Sequence, residues 1–159
     1  MNVNCGLHLR AAARGLTLIE AMVTLAVLVV LAFLAAPSFH EMLLSQRVKT
    51  ASFDVFSGLL LARSEAVARN RAVTIVPSGG NWSEGWTISD ASGKVVQHQE
   101  RMPRVVITGP ERVTYNSAGR LSTGGASINV VANGGGAAHA RCIRIDLSGR
   151  PVQGQGGCL

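Results

Sequence analysis

From Ala21 to Phe39 the chain carries no charged residue, and Leu16, Leu18 and Ile19 extend the apolar run at its front. Together they reach the ~20 residues that cross a bilayer as a helix. Beyond the run the apolar positions thin to a stripe. Leu44, Val48, Ala51, Val55, Leu59, Ala62 and Ala66 recur at steps of three and four, the spacing of one helix face. Gln46, Arg47, Lys49, Asp54, Arg63, Glu65 and Arg69 fill much of the remainder. The pattern predicts a nearly continuous helix over residues 17–70, with Pro37 placed to kink it near the end of the apolar part. The Ala-rich stripe and Gly58 suit close packing beneath a sheet; a free coiled coil is the alternative.

After Asn70 the period changes to short β runs with turn residues between them. Candidate strands are 72–76, 85–90, 95–99, 105–108, 112–116, 127–132 and 141–147. Ala91-Ser92-Gly93 reads as a hairpin turn; Gly79-Gly80, Gly124-Gly125 and Gly134-Gly135-Gly136 read as loops. In the last run Arg141, Arg144 and Asp146 mix with Cys142, Ile143 and Ile145, which predicts one wet face. The fold class is α+β: a long N-terminal helix, transmembrane in its first half and amphipathic in its second, packed on a small antiparallel β head.

One acid, Glu20, interrupts the apolar segment. A carboxylate in hydrocarbon costs at least ~2.5 kcal/mol, so it marks a functional residue with a partner. The plain alternative is a single-span anchor whose Glu snorkels to the headgroups. Residues 1–15 hold Arg10 and Arg14 and no acid. Positive charge before a span keeps that end in the cytoplasm. A secretory signal puts its small-residue cleavage site after the apolar core. Here Gly15 comes before it, so a cut after Gly15 removes the basic leader and leaves the span in place. Cys5 has no apolar stretch ahead of it and makes a poor lipoprotein site.

Gly15-Leu16-Thr17-Leu18-Ile19-Glu20 resembles the class III signal of type IV pilins and type II secretion pseudopilins. The resemblance implies that a membrane peptidase cuts between Gly15 and Leu16 and methylates the new amine of Leu16. Leu16 stands where the family usually has Phe. Glu20 falls on the family's Glu, implying a pair with the N-terminal ammonium of a neighbouring subunit. Leaving one member of such a pair alone in an apolar bundle is strongly unfavourable, so Glu20 would set axial register. Further on, Asn81-Trp82-Ser83-Glu84-Gly85-Trp86 with Ile88, Asp90 and Gly93 resembles the W-x-x-G-W…D segment of the H-type pseudopilin (GspH) and FimT/FimU minor pilin family. Arg63–Ala66, Arg71–Thr74, Tyr115–Arg120 and Arg141–Cys158 agree with it.

That family implies an organisation: leader 1–15, transmembrane and filament-core helix 16–39, amphipathic helix 40–70, periplasmic β head 71–159. It implies a single pass through a bacterial inner membrane, N-terminus cytoplasmic, and later residence in a pilus or pseudopilus. The implied partners are a prepilin peptidase/methyltransferase, other minor pilins or pseudopilins, and an inner-membrane assembly platform. No cofactor is expected.

Composition adds three points. A head of roughly 85–90 residues has a modest core and often needs a staple. Cys142 and Cys158 are the only cysteines after the leader. In an oxidising periplasm they predict a disulfide, with two free buried thiols as the alternative and metal binding weaker still. Second, the net charge of +6 falls to +4 without Arg10 and Arg14, and the head carries far more Arg than Lys. Arg suits bidentate phosphate or carboxylate contacts, although a GC-rich genome gives the same bias. Third, Trp82 and Trp86 offer either core area or a platform for a sugar or base; core packing is the favoured reading.

His8, His40, His98 and His139 are scattered, and no Gly loop has the Lys and strand-to-helix setting of a phosphate cradle. The sequence predicts no enzyme, no catalytic residue and no metal site. DNA is the remaining candidate ligand. DNA-binding FimT-like pilins carry Gly-Arg-x-Arg in a basic C-terminal segment; here it reads Gly149-Arg150-Pro151-Val152. Arg144 and Arg150 are the candidate DNA contacts, with Arg141 adding charge nearby. Val152 removes half of the arginine pair, which favours a scaffold over a receptor.

Overall fold

The computed structural model describes Gly15, residues 17–136 and residues 139–158, with Pro37 described by its backbone alone. Helix α1 spans Leu18–Ala68. Thr17 caps its start, accepting the Glu20 N–H on Oγ1 at 3.3 Å. Asn70 ends it in the left-handed region, φ 49°. The Asn70 N–H donates to the Val67 carbonyl and the Arg71 N–H to the Ala66 carbonyl, both at 3.2 Å. That pair of bonds is a Schellman stop, with Asn in the place glycine usually takes.

The chain divides between Phe39 and His40 into two compact units. Within the first, Leu18–Ala36 is long and apolar enough to cross a membrane, and none of it is buried within the protein. Within the second, all seven stripe residues from Leu44 to Ala66 are buried. Here the helix lies under the head, and the free coiled coil is ruled out.

Eight strands follow: β1 Val73–Pro77, β2 Trp86–Asp90, β3 Val95–Gln99, β4 Val105–Thr108, β5 Val113–Tyr115, β6 Ala126–Ala132, β7 Ala140–Ile145 and β8 Pro151–Gln155. They form two four-stranded antiparallel sheets, ordered β3-β2-β1-β5 and β4-β6-β7-β8. Seven of the strands lie where periodicity places them, with no end shifted by more than two residues. β8 has no such signal, because Pro151-Val152-Gln153-Gly154-Gln155 does not alternate. As the edge of its sheet it pairs only with β7, and a proline at its first position is tolerated there.

The W-x-x-G-W segment has a packing explanation. Trp82 and Trp86 are 2% and 1% exposed, so they are core and not a platform. Their rings are tilted, centroids 5.8 Å apart. The Trp82 indole N–H donates to the Pro110 carbonyl at 2.8 Å. Between them Ser83 docks the second sheet: its Oγ accepts the Ile107 N–H at 2.9 Å and its carbonyl accepts the Met102 N–H at 2.9 Å. Gly85 has φ +91°, and a Cβ there would lie 2.0 Å from the Gln99 carbonyl oxygen, so only glycine fits. At Gly58 in α1 an added Cβ would lie 3.1 Å from Trp86 Nε1, a tight contact that the indole would have to shift to accept.

Candidate functional site

At the front of the chain Gly15 is exposed with open space around it, while Leu16 and the leader with Arg10 and Arg14 lie outside the described residues. Glu20 is exposed in the first turn of α1. There the helix N-terminus favours its negative charge. Thr17-x-x-Glu20 is a capping-box pattern, a signal present in the sequence that the reading of Glu20 as an assembly residue passed over.

Three distant segments meet at one end of the head. Arg63 of α1 donates from Nε to the Gly119 carbonyl at 3.0 Å and from Nη2 to the Ser148 carbonyl at 3.5 Å. Gly149, φ +77°, presses against the Gly119 backbone. Beneath them Tyr115 is fully buried, and burial pushes its phenol well above the ordinary tyrosine range. Asp146 organises the β7–β8 turn. Its Oδ1 accepts the Ser148 hydroxyl and, at 3.1 Å, the Arg150 N–H. The Ser148 hydroxyl first, and then the Arg150 N–H, hold this carboxyl below its usual range.

The candidate DNA arginines are distributed less favourably than the sequence suggests. Arg144 is exposed and sits across from Val152 on β8 and Ser127 on β6. Arg150 is exposed, with the Asp146 carboxylate close enough to offset part of its charge. Arg141 does not join them. Residues three apart on a strand point to opposite faces. Arg141 is half-buried on the helix-facing side, with Ser45, Lys49 and His139.

Cys142 and Cys158 form a disulfide with S–S 2.00 Å, closing a sequence separation of 16. The terminal segment is anchored further by the Cys158 N–H, which donates to Asn129 Oδ1 at 3.3 Å. At the end of β2 Asp90 is buried and accepts the Ser92 hydroxyl, the Ser92 N–H at 2.9 Å and the Lys94 N–H at 3.1 Å. Arg69 at 3.5 Å and Arg71 at 3.8 Å complete its surroundings. The Ser92 hydroxyl is the main cause that holds the Asp90 carboxyl low. This bond set ties the β2–β3 hairpin to the end of α1.

His139 Nδ1 lies 3.1 Å from the Ser45 hydroxyl and Nε2 contacts the Glu41 carboxylate. His98 is exposed, sharing a hydrogen bond with Thr87 at 3.1 Å. No group of three or more His, Cys, Asp or Glu suited to a metal occurs among the described residues.

The sequence model of the family described as "Type II transport protein GspH" matches residues 52–149, more than half of the chain. The chain belongs to the GspH family. The match begins inside α1 and ends in the β7–β8 turn, so the GspH-family assignment rests on the head and its packing helix. Two crystal forms of the type IV minor pilin FimU of Pseudomonas aeruginosa (strain PAO1) share the fold. One gives a TM-score of 0.61 at 23% identity, covering 69% of this chain and 89% of FimU. The other gives 0.58 at 24% identity, covering 67% and 91%. No curated protein matches the sequence. The GspH-family head thus has a pilin-like α+β architecture, and the apolar helix Leu18–Ala36 fits a membrane-anchored pilin.

Proposed function

We propose that this chain is a minor pilin or pseudopilin, a structural and assembly-priming subunit of a type IV pilus or type II secretion pseudopilus. The observation that carries the reading is one chain joining a GspH-type head to an apolar helix that starts within three residues of Gly15. In this reading a prepilin peptidase/methyltransferase removes residues 1–15 and methylates Leu16. Residues 16–39 span the inner membrane and later enter the filament core, with residues 71–159 as the periplasmic head. Glu20 pairs with the ammonium of the adjacent subunit, and the other contacts are minor pilins or pseudopilins and the assembly platform. Mass spectrometry of the chain from a host with the filament system tests this. Leu16 should be N-terminal and methylated, Gly15→Val should leave the precursor uncut, and Glu20→Ala should be cut yet enter filaments poorly. An intact leader on assembled protein refutes the reading.

A second reading, DNA binding for natural transformation, gains support from the β7–β8 register. Arg144 is the cross-strand partner of Val152, so an arginine stands beside the position where the Gly-Arg-x-Arg pattern loses one. Phosphate contacts of this kind weaken steeply with salt. Gel shifts between about 50 and 200 mM salt, with Arg144→Gln/Arg150→Gln as control, decide it. Absence of binding at the lower salt refutes it.

A further inference from the structure

We propose that the cavity between α1, β7 and β8 is a binding site for a phosphate group, taken either as a free anion or as a phospholipid headgroup. The cavity is about 200 Å³ and is lined by Ser45 and Lys49 of α1, His139 and Arg141 at the start of β7, and Gln155 of β8. No acid lines it. Lys49 and Arg141 come from facing elements, and neither has an acidic partner among the described residues. Two cationic residues lining one small cavity repel each other, and an oxyanion between them turns that repulsion into two attractions. Arg141 offers the planar fork that matches two phosphate oxygens, and Lys49 a point charge beside it.

The neutral groups supply direction. Gln155 carries an amide donor, while the Ser45 hydroxyl is engaged with His139. His139 is fixed on both sides, by Ser45 at Nδ1 and by Glu41 at Nε2. The Glu41 carboxylate is directed to the His139 ring by their contact. A surface patch of lysines has none of this: here helix, strand and edge strand each bring a donor residue to one half-open cavity. The site lies on the opposite face of β7 from Arg144, so it is separate from the DNA reading.

The test uses the full chain in neutral detergent micelles, with the His139 ring followed by NMR. Inorganic phosphate replaces chloride at constant ionic strength. In a second arm, bicelles containing phosphatidylglycerol are compared with pure phosphatidylcholine bicelles. Saturable phosphate shifts with no extra effect of phosphatidylglycerol assign a free anion. Shifts specific to phosphatidylglycerol assign a headgroup. Either outcome supports the site if affinity falls about tenfold per cation removed in Lys49→Gln and Arg141→Gln. Lys49 is exposed, so its variant keeps the head folded even if Arg141→Gln does not. No phosphate-specific shift in either arm, or an unchanged affinity in Lys49→Gln, overturns the proposal.

Discussion

Gly149→Ala should unfold the head far more readily than its single added methyl group suggests. A Cβ at residue 149 would stand 2.1 Å from the Gly119 carbonyl oxygen and 3.1 Å from both the Gly119 carbonyl carbon and Tyr115 Cε1. The obstacle is backbone, which no rotamer change can swing aside. Relief requires the two turns to part by about 1 Å or more. That movement would stretch the bond from Arg63 Nε to the same Gly119 oxygen, now 3.0 Å. It would also open the lid over Tyr115. Two costs add: about 1 kcal/mol for a non-glycine residue in the left-handed region, and about 1–3 kcal/mol for overpacking. Reduced freedom of the unfolded chain returns up to ~1 kcal/mol.

Gly93→Ala separates these contributions. Gly93 has φ +83°, close to the +77° of Gly149, but open space where its Cβ would go. Backbone strain and unfolded-state entropy are therefore shared, and the difference between the variants is the collision alone, about 1–3 kcal/mol. Urea unfolding of the full chain in neutral detergent measures it, read by tryptophan fluorescence. Both tryptophans of the chain are buried in the head core, so the signal reports the head and not the apolar helix. Equal midpoint shifts for the two variants would refute the argument that the Gly119–Gly149 contact joins the turns.

Cys142→Ser/Cys158→Ser should lower head stability by about 3 kcal/mol, the chain-entropy value for a loop of this size; reductant should shift the wild-type midpoint comparably, and an indifferent midpoint would show the bridge to be idle. Asp90→Asn tests acid sensitivity. The Asp90 carboxyl titrates below its ordinary value in the folded head, so its charge contributes stability above the unfolded value of ~3.9 and loses it as pH falls through that value toward the folded one. The gap in urea midpoint between wild type and Asp90→Asn should therefore be wide at pH 7 and shrink in acid; a gap independent of pH would remove the charge from the account.

Much of the fold was legible because burial on one face leaves a period. The stripe from Leu44 to Ala66 named the buried face of α1 residue by residue. The same logic failed where another structure covers the wrong face. Cys142 and Ile143 are consecutive and both buried, which blurs the alternation of β7. Ile143 faces the core, whereas Cys142 points the other way and is hidden by its bridge to Cys158. That blur let Arg141 and Arg144 pass as neighbours. The contact of His139 with Glu41 spans 98 residues, and no local pattern announces a pair brought together by the turn after β6. β8 was invisible for a different reason: an edge strand is held by one neighbour's backbone, and backbone bonding needs no side-chain alternation.

β7 therefore acts as a partition between two basic fields. Arg144 and Arg150 serve the outer one, Lys49 and Arg141 the cavity beneath α1. Guanidinium groups on opposite faces of a sheet stand on the order of 10 Å apart, comparable with the Debye length at physiological salt. At that range charge changes on one side are partly screened from the other, and sites this far apart with no shared partner have effects that add. On the two proposed readings, DNA binding and phosphate binding are thus separately testable. Removing Arg144 and Arg150 should leave the His139 response to phosphate intact, and removing Lys49 and Arg141 should leave any DNA shift intact. If either pair moved both readouts, β7 would not divide the charge, and the cavity and the outer face would have to be treated as one surface.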